Sequence, residues 1–413
     1  MPDRRPEVRL GEYESAELAS DQLTARDLDR LHALQARGCL TLTTARAGWR
    51  LKADATVGVV PLDRVRLVIK PKFAIPGEQL MAWLAYALHT TVPTAARRWS
   101  SSPDGYADLV ASALLEECEK LLREGLRRDY VRRQSLQPVL RGRLDVAAQV
   151  TRRFGQLDQL HVRAFDREAD IGDNRILGTA LMAALSLSTD AGLARRLHDV
   201  VDAFPHSGTP AAALRALERT QYTRLNARYR AAHTWARLLL HGGGPNDLLT
   251  DHGSTAGGLL LAMPALWEAV VRRLATEAVA PHGGRPVPSN GKTGITVRGD
   301  LGSASTFRPD MLLSLPGPGT HQHALLPVDA KYKRYDRHGV SAGDIHQLLT
   351  YSAGYTPVNA PRAVIVHPQP GGYAQRTLQV GSPQRGLGVI HVLGIDTHAP
   401  PEQAGAWMRT ALP

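Results

Sequence analysis

The sequence predicts an α+β protein with several domains: a small β-rich N-terminal module, a helical middle region and a C-terminal α/β domain. A chain of 413 residues is long enough for two or three hydrophobic cores. Short β-branched segments dominate the first part and helical periodicity the second, and a glycine-rich break precedes the third. We place the domain boundaries at residues 1–77, 78–250 and 251–413.

The N-terminal module alternates between short apolar segments and turn residues. One helix is predicted near Ala25 to Ala36, and the rest of the module up to Phe73 is expected to be mostly β. Each predicted strand is rich in β-branched residues, which suit a pleated and half-buried surface. The predicted strands are CLTLTTA, GWRLKA, TVGVVPL and VRLVIKPK.

Helical periodicity dominates the middle region. The clearest predicted helices are LMAWLAYAL, LVASALLEECEKLLREGLRRDYV and ALRALERTQYTRLNARYRAAHTWARLLL. The second would place several arginines largely on one side, where they could follow a DNA backbone or simply form a solvated face with Glu124 and Asp129. These arginines are Arg123, Arg127, Arg128, Arg132 and Arg133. Asp173 precedes a helical run and is interpreted as an N-cap, so the DNR triplet is taken as structural.

The C-terminal domain is expected from about Leu259 onward, after glycine-rich breaks at residues 242–244 and 252–258. The segments AVIVHP and GVIHVLGID are predicted strands, and EQAGAWMRTAL is a predicted closing helix.

Two segments of this domain combine the groups that metal-dependent hydrolysis of a phosphodiester requires. FRPD ends at Asp310 after a short apolar segment, and LLPVDAKYKRY carries Asp329 and Lys331 two residues apart. The period of two in a strand points Asp329 and Lys331 to one face. Two carboxylates and a lysine can hold Mg²⁺ and set a water against a phosphate. This is the PD-(D/E)xK pattern of a large class of metal-dependent nucleases.

The surroundings of this pattern support the nuclease interpretation. The loop PGPGTHQH suits a turn between two adjacent strands. A following helix carries Asp344, Gln347 and Tyr351 at i, i+3 and i+7, which places them on one face. Charged strand ends are also common on ordinary surfaces, but this combination is more specific. Pro327 cannot donate to a sheet, so the strand begins at Val328 or Pro327 faces an unpaired edge.

A third acidic position is Glu268. The segment LWE opens a predicted helix that runs to about Ala280. Nucleases of this class often place a glutamate from the helix before the core strands near the metal. The alternative is an ordinary exposed helix glutamate.

Several separated segments together resemble McrC, the nuclease subunit of the McrBC modification-dependent (type IV) restriction systems. They follow the family's order, and Trp267 stands where an aromatic residue, usually Phe, precedes the glutamate. The segments are LVIKPKF, LRGRLD, DNRILGTAL, a helix with Tyr229 and Trp235, the WE pair, FRPD, VDAKYK and HQLLTY. The resemblance implies a restriction-endonuclease-like C-terminal domain. It also implies a separate AAA+ GTPase ring that recognises modified DNA, on which the N-terminal module docks and whose GTPase it stimulates.

These arguments lead to a Mg²⁺-dependent DNA endonuclease, with Mn²⁺ as a possible substitute for Mg²⁺. The expected metal ligands are Asp310, Asp329, the carbonyl of Ala330 and Glu268. The expected catalytic residues are Asp310, Asp329, Lys331, Gln347, Glu268 and Tyr351. The residues expected to contact DNA are Arg127, Arg128, Arg132, Lys333 and Arg334. Dimerisation of the nuclease assembly for double-strand cleavage is left open.

Composition agrees with a nucleic-acid partner. The 50 Lys and Arg residues exceed the 39 Asp and Glu residues, and the formal net charge of +11 favours a polyanion. Two cysteines give neither a disulfide framework nor a zinc spacing. Neither a signal peptide nor a membrane span is expected, which favours a cytoplasmic protein. A stand-alone repair nuclease or junction resolvase, and a non-catalytic activator subunit, remain alternatives.

Overall fold

The computed structural model describes residues 5–73, 75–91, 106–206, 208–241, 259–288, 293–296, 306–316 and 323–412. The predicted glycine-rich breaks at 242–244 and 252–258, and most of the loop after Pro316, lie outside these ranges. No helix in the described ranges has the length and apolar character that crossing a bilayer requires.

Contacts divide the chain into two compact units, which differ from the three predicted domains. One unit is Val110–His241, and the other combines Arg4–Leu109 with Ala256–Pro413. The predicted boundary near residue 250 would separate the N-terminal module from the C-terminal domain. Instead they share a sheet, because the strand Leu259–Ala262 pairs antiparallel with the strand Thr56–Pro61.

The predicted N-terminal elements are confirmed. The predicted helix is α1, which Thr24 caps by accepting from the Asp27 amide while Asp27 accepts from the Thr24 amide. The elements of this part are β1 (Glu7–Gly11), β2 (Ser15–Ala19), α1 (Ala25–Ala36), β3 (Leu40–Ala45), β4 (Gly48–Ala53), β5 (Thr56–Pro61), β6 (Arg66–Lys70) and α2 (Gly77–Ala87).

Two small sheets and α1 enclose the N-terminal core. The first sheet has the order β2-β4-β3, and the second has the order β1-β6-β5 and is completed by β10 (Leu259–Ala262). Leu31, Leu51 and Leu67 are fully buried in this core, and Leu260 of β10 packs into the same cluster. The N-terminal core is therefore completed by a strand from the C-terminal third of the sequence.

The middle unit mixes helices with a sheet, so its description as helical was incomplete. Its elements are α3 (Tyr106–Glu124), β7 (Asp129–Gln137), β8 (Arg143–Leu144), α4 (Val146–Arg152), β9 (Leu160–Glu168), α5 (Gly172–Leu187), α6 (Ala191–Val201), α7 (Pro210–Glu218) and α8 (Arg230–His241). The strands form an antiparallel sheet in the order β7-β9-β8.

Two long predicted helices in this unit were wrong in extent. The first ends at Glu124, where Gly125 adopts a positive φ of 82° and the chain continues as β7. The second is broken between α7 and α8, where Asn226 accepts from the Thr223 amide and donates to the Gln221 carbonyl. Such local side-chain hydrogen bonds compete with continuation of a helix.

The C-terminal part forms the sheet and helices that carry the PD-(D/E)xK pattern. Its elements after β10 are α9 (Met263–Val279), β11 (Arg285–Pro286), β12 (Ile295–Thr296), β13 (Thr306–Phe307), β14 (Met311–Pro316), β15 (His323–Ala330), α10 (Ala342–Tyr355), β16 (Arg362–Gln369), β17 (Ala374–Ser382), β18 (Arg385–Asp396) and α11 (Pro401–Ala411). The predicted late strands and closing helix are confirmed as β16, β18 and α11.

Six strands form the central sheet, in the order β11-β14-β15-β16-β18-β17. The β14–β15 hairpin is antiparallel, whereas β15, β16 and β18 run parallel. Pro327 lies inside β15 but just before Val328, where pairing with β16 begins. Helix α10 packs on this sheet through Leu348 and Tyr351, which contact Ile365 and its neighbours in a buried cluster.

Candidate active site

The β14–β15 hairpin brings the two predicted aspartates together. Met311, the first residue of β14, pairs with Val328, so Asp310 and Asp329 lie one position beyond this pair. The sequence suggested that Asp310 ends an apolar segment. In the structure Asp310 instead directly precedes β14. Its Oδ2 accepts a hydrogen bond from the Ala330 amide at 2.7 Å, which fixes the carboxylate beside the end of β15.

Asp329 and Lys331 share one face, as the period of two predicted. The distance from Lys331 Nζ to Asp329 Oδ2 is 2.7 Å. Asp329 lies on an interior strand of the sheet, paired in register with Ile365 of β16, and is 1% exposed. The backbone amide of Lys331 donates to the Val366 carbonyl at 2.9 Å, and this hydrogen bond holds the backbone of the lysine beside β16.

Helix α10 provides a second partner for the Lys331 ammonium group. Lys331 Nζ donates to Gln347 Oε1 at 2.8 Å, and Gln347 Nε2 donates to the Tyr351 hydroxyl at 2.8 Å. The Tyr351 hydroxyl in turn donates to the Arg308 carbonyl. This chain of hydrogen bonds connects the lysine to the segment that carries Asp310. The predicted face of Gln347 and Tyr351 is therefore the face that meets the site.

Asp344, on the same helix, faces a different set of groups. It accepts hydrogen bonds from Lys333, Tyr335 and Ser341, while Lys331 Nζ is 4.0 Å away. Burial opposes ionisation of this carboxyl, but these hydrogen bonds lower its pKa to about 2. Asp344 is therefore a firmly ionised residue that fixes the chain after Lys331.

The surroundings of Asp310 oppose ionisation of its carboxyl group. Desolvation by burial and the charge of Asp329 raise the pKa of Asp310 to about 7, and the Ala330 amide opposes this shift only in part. Burial alone would lower the pKa of Lys331, but the ion pair with Asp329 and the charges of Asp310 and Asp344 raise it. The lysine is therefore a cation between acidic groups, and one of the two aspartates lacks a full counter-charge.

The donor set fits a hard divalent cation. In the described chain neither oxygen of the buried Asp329 accepts a well-formed hydrogen bond, and Lys331 approaches one of them as an ion-pair partner. A buried carboxylate without donors is costly unless a cation or a proton compensates it. Oxygen ligands from Asp310, Asp329 and the Ala330 carbonyl are the type that Mg²⁺ prefers.

Glu268 is paired with an arginine next to this site. It forms an ion pair with Arg272 one turn along α9, and Arg272 also donates to the Asp310 carbonyl at 3.1 Å. The described residues contain no group of three or more Asp, Glu, His or Cys side chains placed to share a metal. Direct ligation by Glu268 therefore stays a prediction, whereas its negative charge contributes to the raised pKa of Asp310.

Comparison with known proteins identifies the family of the chain. The family model described as McrBC 5-methylcytosine restriction system component matches residues 51–368, which is most of the sequence. The chain belongs to the McrBC family. The family resemblance inferred from the motifs is therefore confirmed. No curated protein sequence matches this McrBC-family chain.

Two solved structures of Thermococcus gammatolerans proteins are similar to the McrBC-family chain. One is a half-complex of McrB AAA+ hexamers with bound McrC, in which the matching chain is 17% identical with a TM-score of 0.68. That match covers 98% of this chain and 99% of the other, which shows a shared fold. The other is a McrBC complex, with 18% identity and a TM-score of 0.47 over 66% of this chain and 88% of that one.

The predicted arginine cluster of the McrBC-family chain does not lie on one helix. Arg123 lies in α3, Arg127 and Arg128 follow it, and Arg132 and Arg133 lie in β7, because the helix ends at Glu124. Arg128 and Arg132 are exposed. The common helix face that motivated the prediction is absent, and contact of these arginines with DNA stays a prediction.

Arg127 has a structural role in the middle unit. Its guanidinium pairs with Asp129 and Asp173, each at 2.6 Å. The buried Asn174 donates to the Arg127 carbonyl at 2.9 Å and accepts from the Tyr229 hydroxyl at 2.7 Å. The DNR triplet therefore ties α5 to the segment after α3, as its structural interpretation predicted. Asp173 does so inside the first turn rather than as the N-cap, which is Ile171.

Lys333 and Arg334 also have partners within the chain. Lys333 binds both carboxylate oxygens of Asp344 at 2.8 Å, and Arg334 pairs with Asp336 at 2.7 Å. Half of the Lys333 side chain remains exposed, whereas Arg334 is mostly covered. Of the two, Lys333 is better placed to meet a phosphate.

Sequence reasoning did not assign roles to three residues around the site. Trp267 donates its indole N–H to the Val366 carbonyl at 3.1 Å, which fixes α9 against the strand beside Asp329. Arg272 connects Glu268 with Asp310, and Arg308 precedes the PD pair. The signal for Arg272 was its i+4 spacing from Glu268, and Arg308 stood inside the quoted FRPD motif.

Proposed function

We propose that this chain is the endonuclease subunit of a McrBC-type restriction system and that it hydrolyses DNA phosphodiester bonds with Mg²⁺. One observation carries the proposal: the buried Asp329 lies beside Asp310, whose pKa is raised to about 7, and Lys331 forms an ion pair with Asp329. Such a pair needs a cation, and Lys331 supplies only one positive charge between them. Membership of the McrBC family supports the same function.

In the proposed mechanism Asp310, Asp329 and the Ala330 carbonyl hold the metal. When bound, Mg²⁺ neutralises charge on the scissile phosphate and makes a coordinated water more acidic. Lys331, held between Asp329 and Gln347, orients the attacking water or donates to a phosphate oxygen as negative charge develops.

Gln347 and Tyr351 act in this proposal by positioning Lys331. Both ends of the Gln347 amide have partners within the chain, so the residue is better suited to orient the lysine than to bind the water alone. Tyr351 anchors this amide to the Arg308 carbonyl. Glu268 acts through its charge or through a bridging water, with Mn²⁺ able to replace Mg²⁺ at the site.

We further propose that the chain works with a separate AAA+ GTPase ring that recognises modified DNA, and that it stimulates this GTPase. The support is family membership together with a fold shared with the half-complex of McrB AAA+ hexamers with bound McrC. A stand-alone repair nuclease has less support for the same reason. A non-catalytic activator has less support because Asp310, Asp329 and Lys331 are all present, with Lys331 paired with Asp329 and Asp310 held by the Ala330 amide.

Plasmid cleavage tests the proposal. The purified full chain with Mg²⁺ and the AAA+ partner should cut plasmid DNA that carries the modification the partner recognises, and EDTA should stop cleavage. Asp329→Ala should abolish cleavage and leave the melting curve unchanged, because it removes a metal ligand without removing a well-formed hydrogen bond. Undiminished nicking by a normally folded Asp329→Ala protein would show that this site is not the nuclease centre.

A further inference from the structure

A cavity of about 550 Å³ opens beside Asp310. Its wall is mostly apolar and includes Ala269 of α9, Val287, Met311 of β14 and the ring of Tyr355 from α10. A cavity of this size and lining is typical of a site for a small organic group. Its position next to a catalytic carboxylate makes part of the substrate the first candidate for that group.

Three arginines line the same cavity, and their surroundings differ. Arg273 is engaged within the chain, since it pairs with Glu277, donates to the Tyr86 carbonyl and lies 4.0 Å from the centre of the Tyr86 ring. Arg272 pairs with Glu268 and donates to the Asp310 carbonyl, but its side chain is 46% exposed.

In the part of the chain that the structure describes, Arg308 is the cation of this group without an anionic partner. Its guanidinium forms neither a hydrogen bond nor an ion pair there, and the residue is exposed. Its backbone is held by the Tyr351 hydroxyl, which donates to its carbonyl, and its side chain passes close to Gly294. An exposed guanidinium two residues from Asp310, without a partner among the described residues, is well suited to bind a phosphate.

We propose that this cavity binds one unpaired nucleotide of the DNA strand next to the scissile phosphate. Arg308, with the exposed part of Arg272, would bind its phosphate, and the base would lie against the aliphatic wall formed by Ala269, Val287 and Met311. This inference rests on the proposed nuclease function and adds a substrate requirement: the strand is locally unpaired where it is cut.

A double helix is too wide to enter the cavity. A cube of this volume would have an edge of about 8 Å, whereas the major groove of B-DNA alone is about 12 Å wide. A nucleotide can enter such a cavity only when it leaves the helical stack. This costs a few kcal/mol in a duplex, and least where the base is already unpaired. Cleavage should therefore be faster opposite a mismatch or in a short bubble.

Binding in EDTA tests the cavity without cleavage. The full chain is mixed with short DNA that carries 2-aminopurine, a base whose fluorescence rises when it leaves the stack. Wild-type protein should raise the fluorescence, and Ala269→Leu, which adds three carbon atoms to the cavity wall and narrows the cavity, should reduce the rise. Arg308→Gln should weaken binding about tenfold and reduce the slope of log K against log salt by about one. Arg308→Lys should keep the slope.

The matched control is Arg385→Gln, which removes the same charge from an exposed position of the same unit outside the cavity. It should leave affinity and fluorescence within about twofold of wild type, because only a distant and screened charge is lost. Melting curves of all variants exclude unfolding as the cause of weaker binding.

The outcomes separate this inference from the proposed nuclease function. If the fluorescence stays quenched, if no DNA binds, or if Arg308→Gln behaves like Arg385→Gln, the nucleotide site is wrong even when plasmid is cut. If the base leaves the stack and Arg308→Gln weakens binding, but Mg²⁺ and the partner produce no cleavage, the nucleotide site is supported and the proposed nuclease function is wrong.

Discussion

Asp310 and Asp344 are carboxylates of the same unit with opposite surroundings. Asp310 is desolvated beside the charge of Asp329, which raises its pKa to about 7, whereas three hydrogen bonds lower the pKa of Asp344 to about 2. A metal-binding carboxylate is costly without its metal, while a structural carboxylate is stabilising at all times. Replacement of aspartate by asparagine should therefore have opposite effects on the stability of the protein at the two positions.

Asp310→Asn is expected to stabilise the metal-free protein and to abolish cleavage. The amide oxygen can still accept from the Ala330 amide, while the negative charge beside Asp329 disappears. A gain of about 1 kcal/mol corresponds to a rise in melting temperature of about 2–4 °C for a unit of this size. Mg²⁺ should raise the melting temperature of the wild type but not of this variant.

Asp344→Asn is the control for that prediction and should lower the melting temperature, because Lys333 and Tyr335 lose an ionised acceptor. Scanning calorimetry at pH 7.5 with EDTA and with Mg²⁺ measures both effects. A lower melting temperature for Asp310→Asn in EDTA would contradict the view of Asp310 as a carboxylate destabilised by its surroundings.

His233 predicts how the stability of the middle unit depends on pH. It is 1% exposed and contacts the Tyr222 hydroxyl and the Asp173 carbonyl. Burial lowers its pKa from 6.5, and the Asp173 carbonyl and carboxylate oppose this only in part. The unfolded chain therefore binds a proton more readily than the folded chain, so stability is present above about pH 6.5 and is lost as pH falls from there through the lowered pKa.

Urea unfolding at pH 7.5 and pH 5.5 tests this dependence. The wild type should lose stability at the lower pH, and His233→Gln should lose less, since it removes the titrating group. His198→Gln, at an exposed position of the same unit, should behave like the wild type. Equal losses for wild type and His233→Gln would assign the pH dependence to other groups.

At the scale of secondary-structure elements, local patterns predicted most of the chain. The helix from Ala25 to Ala36, the short β-branched strands and the helix after DAK all appear where the sequence placed them. In the site, the period of two for Asp329 and Lys331 and the helical spacing of Gln347 and Tyr351 were sufficient, because both are local. Such features depend on residues a few positions apart.

The predictions that were wrong or missing share one physical cause, which is contact between residues far apart in the sequence. The helix that ends at Glu124 has a periodic pattern that continues through Gly125, but pairing of β7 with β9 overrides it with partners about 30 residues away. The pairing of β10 with β5 joins residues about 200 positions apart, which no local pattern signals. The contact of Arg272 with Asp310 likewise required the packing of α9 on the hairpin.

Leu260→Ala should reveal the dependence of the N-terminal sheet on β10. Leu260 is 1% exposed and packs into the core formed by β1 to β6 and α1. Truncation of a buried leucine leaves a cavity and costs about 2–5 kcal/mol. The expected result is earlier unfolding in urea and faster amide hydrogen exchange in β5, the neighbour of β10. Leu387→Ala, at a half-exposed position of β18, is the control and should cost less than about 0.5 kcal/mol.

At the scale of the whole molecule, the N-terminal residues contact the segment that directly follows β15. Lys72 donates to the Tyr332 carbonyl at 2.7 Å and lies 4.2 Å from the centre of its ring, and the Tyr332 hydroxyl donates to Glu12 at 3.0 Å. Tyr332 directly follows Lys331. The segment that holds Lys331 is therefore fixed by residues far away in the sequence, and the two ends of the chain fold as one unit.

This arrangement changes how partner stimulation and cleavage can be separated. A fragment of residues 1–240 would retain β5 but lose β10 and Tyr332, so its sheet would have an unpaired edge and the buried Glu12 would keep the Lys72 amide but lose the Tyr332 hydroxyl. We therefore expect this fragment to be poorly folded and not to stimulate the partner's GTPase. A point variant of the full chain avoids the problem.

Lys331→Ala in the full chain should lose cleavage and keep stimulation of the partner's GTPase. The lysine contacts Asp329 and Gln347 inside the site, so its removal changes the charge there and leaves the hydrogen bonds of Lys72 and Tyr332 in place. The test measures GTP hydrolysis by the partner and plasmid cleavage with wild type, Lys331→Ala and the fragment, with circular dichroism as a check of folding. Loss of stimulation by a folded Lys331→Ala chain would show that the nuclease site itself acts on the ring. Stimulation by the fragment would instead show that residues 1–240 fold without β10.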